Sequence, residues 1–185
     1  ELAEAERVFE KVVERGESTG WVNLARVYYK EGRLEDARKA LAEAVKAGAE
    51  ATWTVHWFAG LIDKDNGFLD EAIANFEKVL ATRVPDRGFD FSKDYGVGAE
   101  LGRTLLQRAL VASGDERLAY LKRAVERLEN VLTLDSENLD AHYNLSIAYG
   151  HLGNAEKALQ HKQRHQKYKT DDNARDSAVG IARQA

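Results

Sequence analysis

The sequence predicts an all-α fold, an α-α superhelix built as a solenoid of antiparallel helical hairpins. Three observations support this prediction. The 185 residues are 44% hydrophobic and 31% charged and include a single proline, a composition typical of a helical globular protein. Small residues recur along the chain at a nearly constant interval, as they do in stacked repeats. Glycines follow the first helix of several repeats, where that helix has to end.

The interval is set by alanines near the start of each second helix. Successive members of this set are 32, 35, 52 and 34 residues apart: Ala5, Ala37, Ala72, Ala124 and Ala158. Three of these intervals lie close to about 34 residues, the period of one kind of two-helix repeat. The spacing therefore predicts stacked hairpins, one of which is enlarged.

Within a repeat, large residues recur three and four positions apart, as in Trp21, Leu24 and Tyr28, and so form one face of a helix. Small residues at the equivalent place predict that the two helices of a hairpin approach closely: Ala25, Gly60 and Gly102. The segment from Trp21 to Tyr28, followed by Gly32 and Ala37, resembles the signature of the tetratricopeptide repeat. This resemblance covers nearly the whole chain and implies the same fold.

The repeat phase indicates a single array over residues 1–185. Its predicted units are a half repeat at 1–17, a repeat at 18–51, a repeat plus loop at 52–91, an extended repeat at 92–138, a repeat at 139–169 and a polar capping helix at 170–185. Because the sequence opens inside a second helix, we expect a fragment of a longer array or of a larger protein. The enlarged interval is attributed to a loop at 83–91 and to longer helices around a turn at 113–115.

Composition and motifs argue against several classes of function. The absence of cysteine removes disulfides, thiolate metal sites and cysteine nucleophiles. A net charge of only -4 gives no general attraction to nucleic acid or anionic lipid, and no apolar run approaches the roughly 18 residues that span a bilayer. No nucleophile elbow, Walker loop or zinc-protease helix is present. We therefore expect no enzyme, cofactor, metal, nucleic-acid partner or membrane insertion. Both the cytoplasm and the periplasm stay open.

The resemblance also implies a groove lined by fixed positions of the first helices. The candidate groove residues at these positions are basic or aromatic: Arg26, Tyr29, Lys30, Trp57, Arg103, Tyr143 and His151. Their cations would pair with ligand carboxylates and their rings would anchor apolar groups, although such rings also pack between hairpins. The resemblance thus implies a scaffold for a peptide or protein segment. Val22, Trp57, Leu61 and Tyr143 stand where a chaperone carboxylate clamp needs polar or basic residues, which argues against that clamp.

The loop at 83–91 supports a second hypothesis, docking or oligomerisation through Phe89 and Phe91, which look exposed. Residues 87–95 and 168–176 resemble repeat regions of bacterial multihaem cytochromes c. That narrower resemblance implies a periplasmic docking domain of an electron-transfer protein, in contact with other domains of its parent chain. Its haem-binding motifs would lie upstream, because the sequence contains no C-x-x-C-H.

A third hypothesis concerns the helix around His161 and His165, which are four residues apart and share one face, a spacing that can hold zinc. No third ligand is near them in sequence, so a solvated helix face is the expected alternative. The basic stretch 157–169 would suit phosphate, but the acidic chain as a whole again favours a solvated face. His56 and His142 are expected to pack or to line the groove.

Overall fold

The computed structural model describes residues 1–49, 52–85 and 88–169. In these ranges the chain forms α-helices joined by short turns, with one inserted β-hairpin. The elements in chain order are α1 (Leu2–Glu14), α2 (Ser18–Lys30), α3 (Leu34–Lys46), α4 (Trp53–Asp65), α5 (Leu69–Ala81), β1 (Arg83–Val84), β2 (Phe89–Asp90), a 3₁₀ turn (Phe91–Lys93), α6 (Tyr95–Val111), α7 (Gly114–Leu134), α8 (Leu139–His151) and α9 (Ala155–Tyr168).

The helices pack as successive hairpins. Helix α2 pairs with α3, α4 with α5, α6 with α7 and α8 with α9, while α1 packs against α2 as the second half of an incomplete pair. First helices of neighbouring hairpins also touch, α2 with α4 and α6 with α8. This confirms the all-α solenoid of helical hairpins expected from the repeat spacing. The repeat boundaries themselves stay a prediction.

The second helices follow directly from their residue pattern. Helix α3 buries Ala37, Ala40, Leu41 and Ala44, which recur at three- and four-residue spacing on one face. Turns before the second helices use glycines in the left-handed conformation, with φ of 75° at Gly32, 83° at Gly67 and 75° at Gly153. Their predicted role in ending the first helices is confirmed.

Two glycines allow unusually close contact inside hairpins. A Cβ built on Gly60 would lie 2.6 Å from the ring of Phe76, and one on Gly102 would lie 2.6 Å from Leu128. Both partners are completely buried, with 0% exposure. Close packing of this kind leaves no room for a larger residue, because protein interiors are as dense as organic crystals.

The enlarged repeat interval has two structural sources. Helices α6 and α7 contain 17 and 21 residues, against 13 in each helix from α1 to α5. The rest is the inserted hairpin, defined here as residues 82–94, in which β1 and β2 pair antiparallel with Arg83 opposite Asp90. The sequence predicted only a loop here. An ion pair of 2.8 Å between these two side chains closes the hairpin, whose residues 86 and 87 lie outside the described ranges.

The two ends of the array differ in what can be described. Helix α1 contacts the rest through Phe9 and Val13 and leaves Val8 53% exposed. The predicted capping helix at 170–185 lies outside the described residues. Within the described ranges, no helix is both long and apolar enough to cross a membrane.

Candidate functional site

The first helices α2, α4, α6 and α8 together form one side of the solenoid, called the inner face below. Every candidate groove residue from the sequence lies on one of these four helices. One pocket opens on this face and a second lies at its edge, where the N-terminal ends of first helices meet the loop before α4. They share no lining residue, but Thr54 of one is followed a turn later by Trp57 of the other, and Asp94 of one is adjacent to Tyr95 of the other. The two pockets are therefore neighbours on one surface.

The larger pocket, called the apolar pocket, has a volume of about 940 Å³. It lies between the N-terminal ends of α2 and α4 and the inserted hairpin. Its described lining consists of Ser18, Thr19, Val22, Asn23, Gly48, Ala49, Thr52, Trp53, Thr54, Val84, Phe89, Phe91 and Asp94. Aromatic and aliphatic side chains supplemented by hydroxyl groups are the usual lining of a ligand site.

The inserted hairpin forms the wall of the apolar pocket. Phe91 is only 6% exposed and its ring centroid lies 4.8 Å from that of Trp53 on α4. Phe89 stays 47% exposed and packs edge-on against Phe91 at 4.6 Å. The expectation that both phenylalanines are exposed is therefore wrong for Phe91, because Trp53 and the second helix of the preceding hairpin cover it. Phe91 anchors the hairpin, and Phe89 faces the solvent side of the pocket.

The smaller pocket, called the polar pocket, has a volume of about 310 Å³. It is lined by Trp57, Tyr95, Gly96, Ala99, Glu100, Arg103, Asn138 and Asp140. Two candidate groove residues, Trp57 and Arg103, thus lie in one pocket. The indole of Trp57 also packs on Phe76 with a centroid distance of 5.6 Å, so this residue serves the core as well as the surface.

A carboxylate at the centre of the inner face neutralises two of its cations. Glu100 accepts hydrogen bonds from Lys64, at 3.0 Å, and from Arg103. Burial works against ionisation of Glu100, but these two hydrogen bonds outweigh it and keep its pKa below the ordinary value for a glutamate. The groove expected to be basic and aromatic is therefore mixed in charge at this point.

A second carboxylate bonds the tyrosine of α2. The Tyr29 hydroxyl donates to Asp65 at 2.9 Å, and burial together with this hydrogen bond raises the pKa of Tyr29 to about 12. Tyr29 thus joins α2 to α4. Arg26 and Lys30, on the same helix, are exposed and form no ion pair with any described residue.

The two candidates on α8 line neither pocket. Tyr143 is 52% exposed and its ring lies 5.4 Å from that of His165 on α9. His151 is exposed, and its Nδ1 lies 2.9 Å from Nη2 of Arg117 on α7. The structure brings Trp57 and Arg103 together in one pocket, whereas Tyr143 contacts α9 and His151 contacts α7.

Sequence reasoning missed several residues of these pockets. Glu100 and Trp53 do not occupy the family's groove positions, and their roles depend on contacts with residues far away in the chain, such as Lys64 and Phe91. Tyr95 ends the segment 87–95 and also lies outside the family's groove positions. One available signal was the insertion itself, since two aromatic residues in a short extra segment indicate a packed structure.

The histidine helix is not the solvated face expected from sequence. Nδ1 of His161 lies 2.9 Å from Nδ1 of His142, which is 0% exposed, and Nδ1 of His165 lies 3.1 Å from the backbone oxygen of Leu139. His142 also donates from Nε2 to the Ser136 carbonyl at 3.1 Å, so in the neutral ring its Nδ1 accepts from His161. The pair packs α9 onto α8. No group of three or more possible metal ligands occurs among the described residues.

We expect this pair to make stability depend on pH. Burial lowers the pKa of both His142 and His161, so near pH 6 the unfolded chain binds more protons than the folded one. The free energy of unfolding should therefore fall as the pH drops below about 6.5, the ordinary imidazole value. Urea titrations at pH 7.5 and 5.5 check this. Replacing both residues with Asn should flatten the dependence and His151→Asn should not; an equal slope in all three proteins would contradict it.

The fold and its inner face define a helical-repeat protein in which each hairpin stacks on the next. A family model described as tetratricopeptide repeat matches residues 1–52 and 117–173, more than half of the chain. The chain therefore belongs to the tetratricopeptide repeat family. No curated protein matches the sequence significantly.

Solved structures give the same fold at low sequence identity. YrrB, described as a TPR protein with an unusual peptide-binding site, is 19% identical with a TM-score of 0.73, covering 92% of this chain and 79% of its own. A structure of MamA MSR-1 is 18% identical with a TM-score of 0.71, covering 94% of this chain and 88% of its own. A double mutant of MamA RS-1 is 14% identical with a TM-score of 0.74, covering 96% of this chain and 88% of its own. None of these comparisons supports the resemblance to multihaem cytochromes.

Proposed function

We propose that this protein is an interaction scaffold that binds a peptide or a segment of another protein along its inner face. The observation that carries the proposal is the pair of neighbouring pockets, one apolar and one polar, on the side formed by the first helices. Interfaces combine a buried aromatic centre with a hydrogen-bonding rim, and these two pockets offer both. The peptide-binding site in the description of YrrB, which has the same fold, is in keeping with this proposal.

The polar pocket suits recognition of a peptide backbone and its polar side chains. Arg103 is partly exposed, with 37% of its side chain accessible, and one carboxylate fixes its position. Tyr95, 52% exposed, stands beside it. Arginine and tyrosine are enriched among the residues that contribute most to binding. We therefore assign the ligand-contacting role in this pocket to Arg103 and Tyr95, with Trp57 as the apolar floor.

Selection of a random peptide display library on the 185-residue chain tests the proposal. Peptides selected on the wild type should bind Arg103→Ala and Tyr95→Ala about tenfold more weakly, the effect of removing one important interface side chain. Fluorescence polarisation with the labelled peptides measures this.

The matched control is Arg123→Ala. Arg123 is similarly exposed and pairs with Glu77 at 2.9 Å, but that pair joins α7 to α5 on the outer side. Selected peptides should bind this variant as they bind the wild type. The proposed function would be overturned if the library yields no binder, or if none of the three substitutions changes the affinity of the selected peptides.

The alternative, docking or oligomerisation through the loop at 83–91, rests on the exposure of Phe89. Phe91 gives it no support, since that ring is buried against Trp53. The exposed ring of Phe89 also lines the apolar pocket, which favours a role in the inner face.

A further inference from the structure

The apolar pocket has the capacity and the surroundings of a side-chain receptor. Its volume of about 940 Å³ lies within the roughly 300–1,000 Å³ typical of ligand sites. Asp94 is the charged residue in its described lining, and the carboxylate of Asp94 is already engaged in accepting a hydrogen bond from the Val97 amide at 3.0 Å. A large apolar side chain would meet mostly aromatic, aliphatic and hydroxyl-bearing neighbours in the described lining, and the single carboxylate there, that of Asp94, is held in place as the cap of α6.

Free positive charge on the inner face lies beside this pocket. The side chain of Lys64 is 8% exposed and both it and Arg103 are paired with Glu100, so these two cations are neutralised. Arg26 and Lys30 differ, because both are exposed and neither forms an ion pair with a described residue. They follow Val22, a lining residue of the apolar pocket, by four and eight positions on α2.

This spacing on the helix matches the spacing of an extended peptide. Four residues of an α-helix rise about 6 Å, and an extended chain covers that distance in about two residues. Alternate side chains of an extended segment point to the same side. A segment running in the same direction as α2, with one side chain in the apolar pocket, would therefore present its second following residue to Arg26 and its fourth to Lys30.

We propose that the partner is an extended segment in which a bulky apolar residue, seated in the apolar pocket against Phe89, is followed at the second and fourth positions by acidic residues that pair with Arg26 and Lys30. This inference rests on the proposed function and specifies the ligand of the same inner face. The inserted hairpin gives the pocket its wall, so this protein recognises an apolar anchor with a structure added to the regular repeat.

The probe that tests the inference is a labelled peptide containing Trp-Ser-Glu-Ser-Glu between Gly-Ser flanks, titrated by fluorescence polarisation. We expect Phe89→Ala to weaken its binding about tenfold, as truncation of an aromatic contact does. Arg26→Glu should weaken it at least as much, and more at low salt, because an attraction becomes a repulsion. A peptide with Lys at the second position after Trp should recover binding to Arg26→Glu.

Matched controls come from the protein and from the peptide. Phe68→Ala removes a phenylalanine that is 39% exposed and lies beneath Arg38 at 4.6 Å, away from both pockets. Lys122→Glu makes the same charge change as Arg26→Glu at an exposed position of α7. Both variants should bind the probe normally. Moving the acidic residues to the first and third positions after Trp should cost about tenfold, since those side chains point away from α2.

The outcomes separate the two proposals. Suppose that the affinity of library-selected peptides depends on Arg103, but that the probe does not bind or that its affinity is unchanged by Phe89→Ala and Arg26→Glu. The inference is then wrong and the proposed function stands. If no peptide depends on any inner-face residue, both are wrong. Light scattering measures the oligomeric mass of the protein without peptide. If Phe89→Ala lowers this mass, the Phe89 ring belongs to a contact between copies of the chain, and the inference is overturned.

Discussion

Replacing Phe76 with Ala should remove about 3–5 kcal/mol from the free energy of unfolding, the usual loss for a buried phenylalanine. Its ring is 0% exposed and lies in the largest apolar cluster, between Gly60 and Trp57 on α4 and the helices that follow. Deleting the ring leaves a cavity next to Gly60 of α4. Gly60 has no side chain that could fill this cavity, so the cost of the cavity adds to the loss of apolar contact. Single domains are commonly stable by only about 5–15 kcal/mol, so the variant should lose a large part of that margin.

Urea unfolding followed by far-UV circular dichroism measures this loss. In a solenoid each repeat contacts only its neighbours, so the damage should begin at α4 and α5 and also reduce the cooperativity of the transition. Phe89→Ala is the control, since that ring is 47% exposed, and should cost under about 1 kcal/mol. Equal stability of the Phe76 variant and the wild type would show that the ring is not the centre of the core described here.

Gly102→Ala should destabilise the protein although alanine is the better helix former. The added Cβ would lie 2.6 Å from both Cγ and Cδ2 of Leu128, which is completely buried. Overpacking of this kind costs about 1–3 kcal/mol, while the gain in helix propensity is at most about 1 kcal/mol. We expect a net loss of about 1–2 kcal/mol, because the cost of moving the buried leucine exceeds the propensity gain.

Gly150→Ala is the matched control for this prediction. Gly150 lies in α8, is exposed, and a Cβ there meets no atom within 4 Å. The same substitution should therefore raise the free energy of unfolding by about 0.5–1 kcal/mol, since it removes the conformational freedom of glycine without any clash. Opposite signs for the two variants in thermal and urea unfolding are the expected result. Stabilisation at both positions would mean that α6 and α7 do not approach as closely as the structure has them.

The repeat fold follows from the sequence because it depends on local, periodic information. Ala37 and Ala72 recur one period apart and Ala124 follows after the enlarged interval, yet all three are completely buried, and the glycines that end first helices adopt the conformation the pattern demanded. Each hairpin repeats the same packing problem, so one solution applies along the chain. Local signals of this kind also predicted longer helices around the turn before α7.

The pockets depend on contacts that no period encodes. The pairing of Glu100 with Lys64 joins residues 36 positions apart, and it turned a groove expected to be basic into one of mixed charge. The burial of Phe91 depends on Trp53, in a different hairpin from the insertion. His142 was expected to pack or to line the groove, yet its bond to His161 requires knowing how α9 lies on α8. Composition gave no information on any of these distances.

The inserted hairpin has a consequence for engineering. Its strands pair with each other rather than with the helices, and it is fixed to the helical stack through the buried ring of Phe91 and through Val84, which packs against the same apolar cluster. Residues 85–89 can therefore be exchanged for other sequences while the helical stack is left as it is. Libraries built in this segment would change which side chain the pocket accepts without sacrificing the stability of the array. The protein thus offers a rigid frame with one replaceable part, in the manner of an antibody loop on its sandwich.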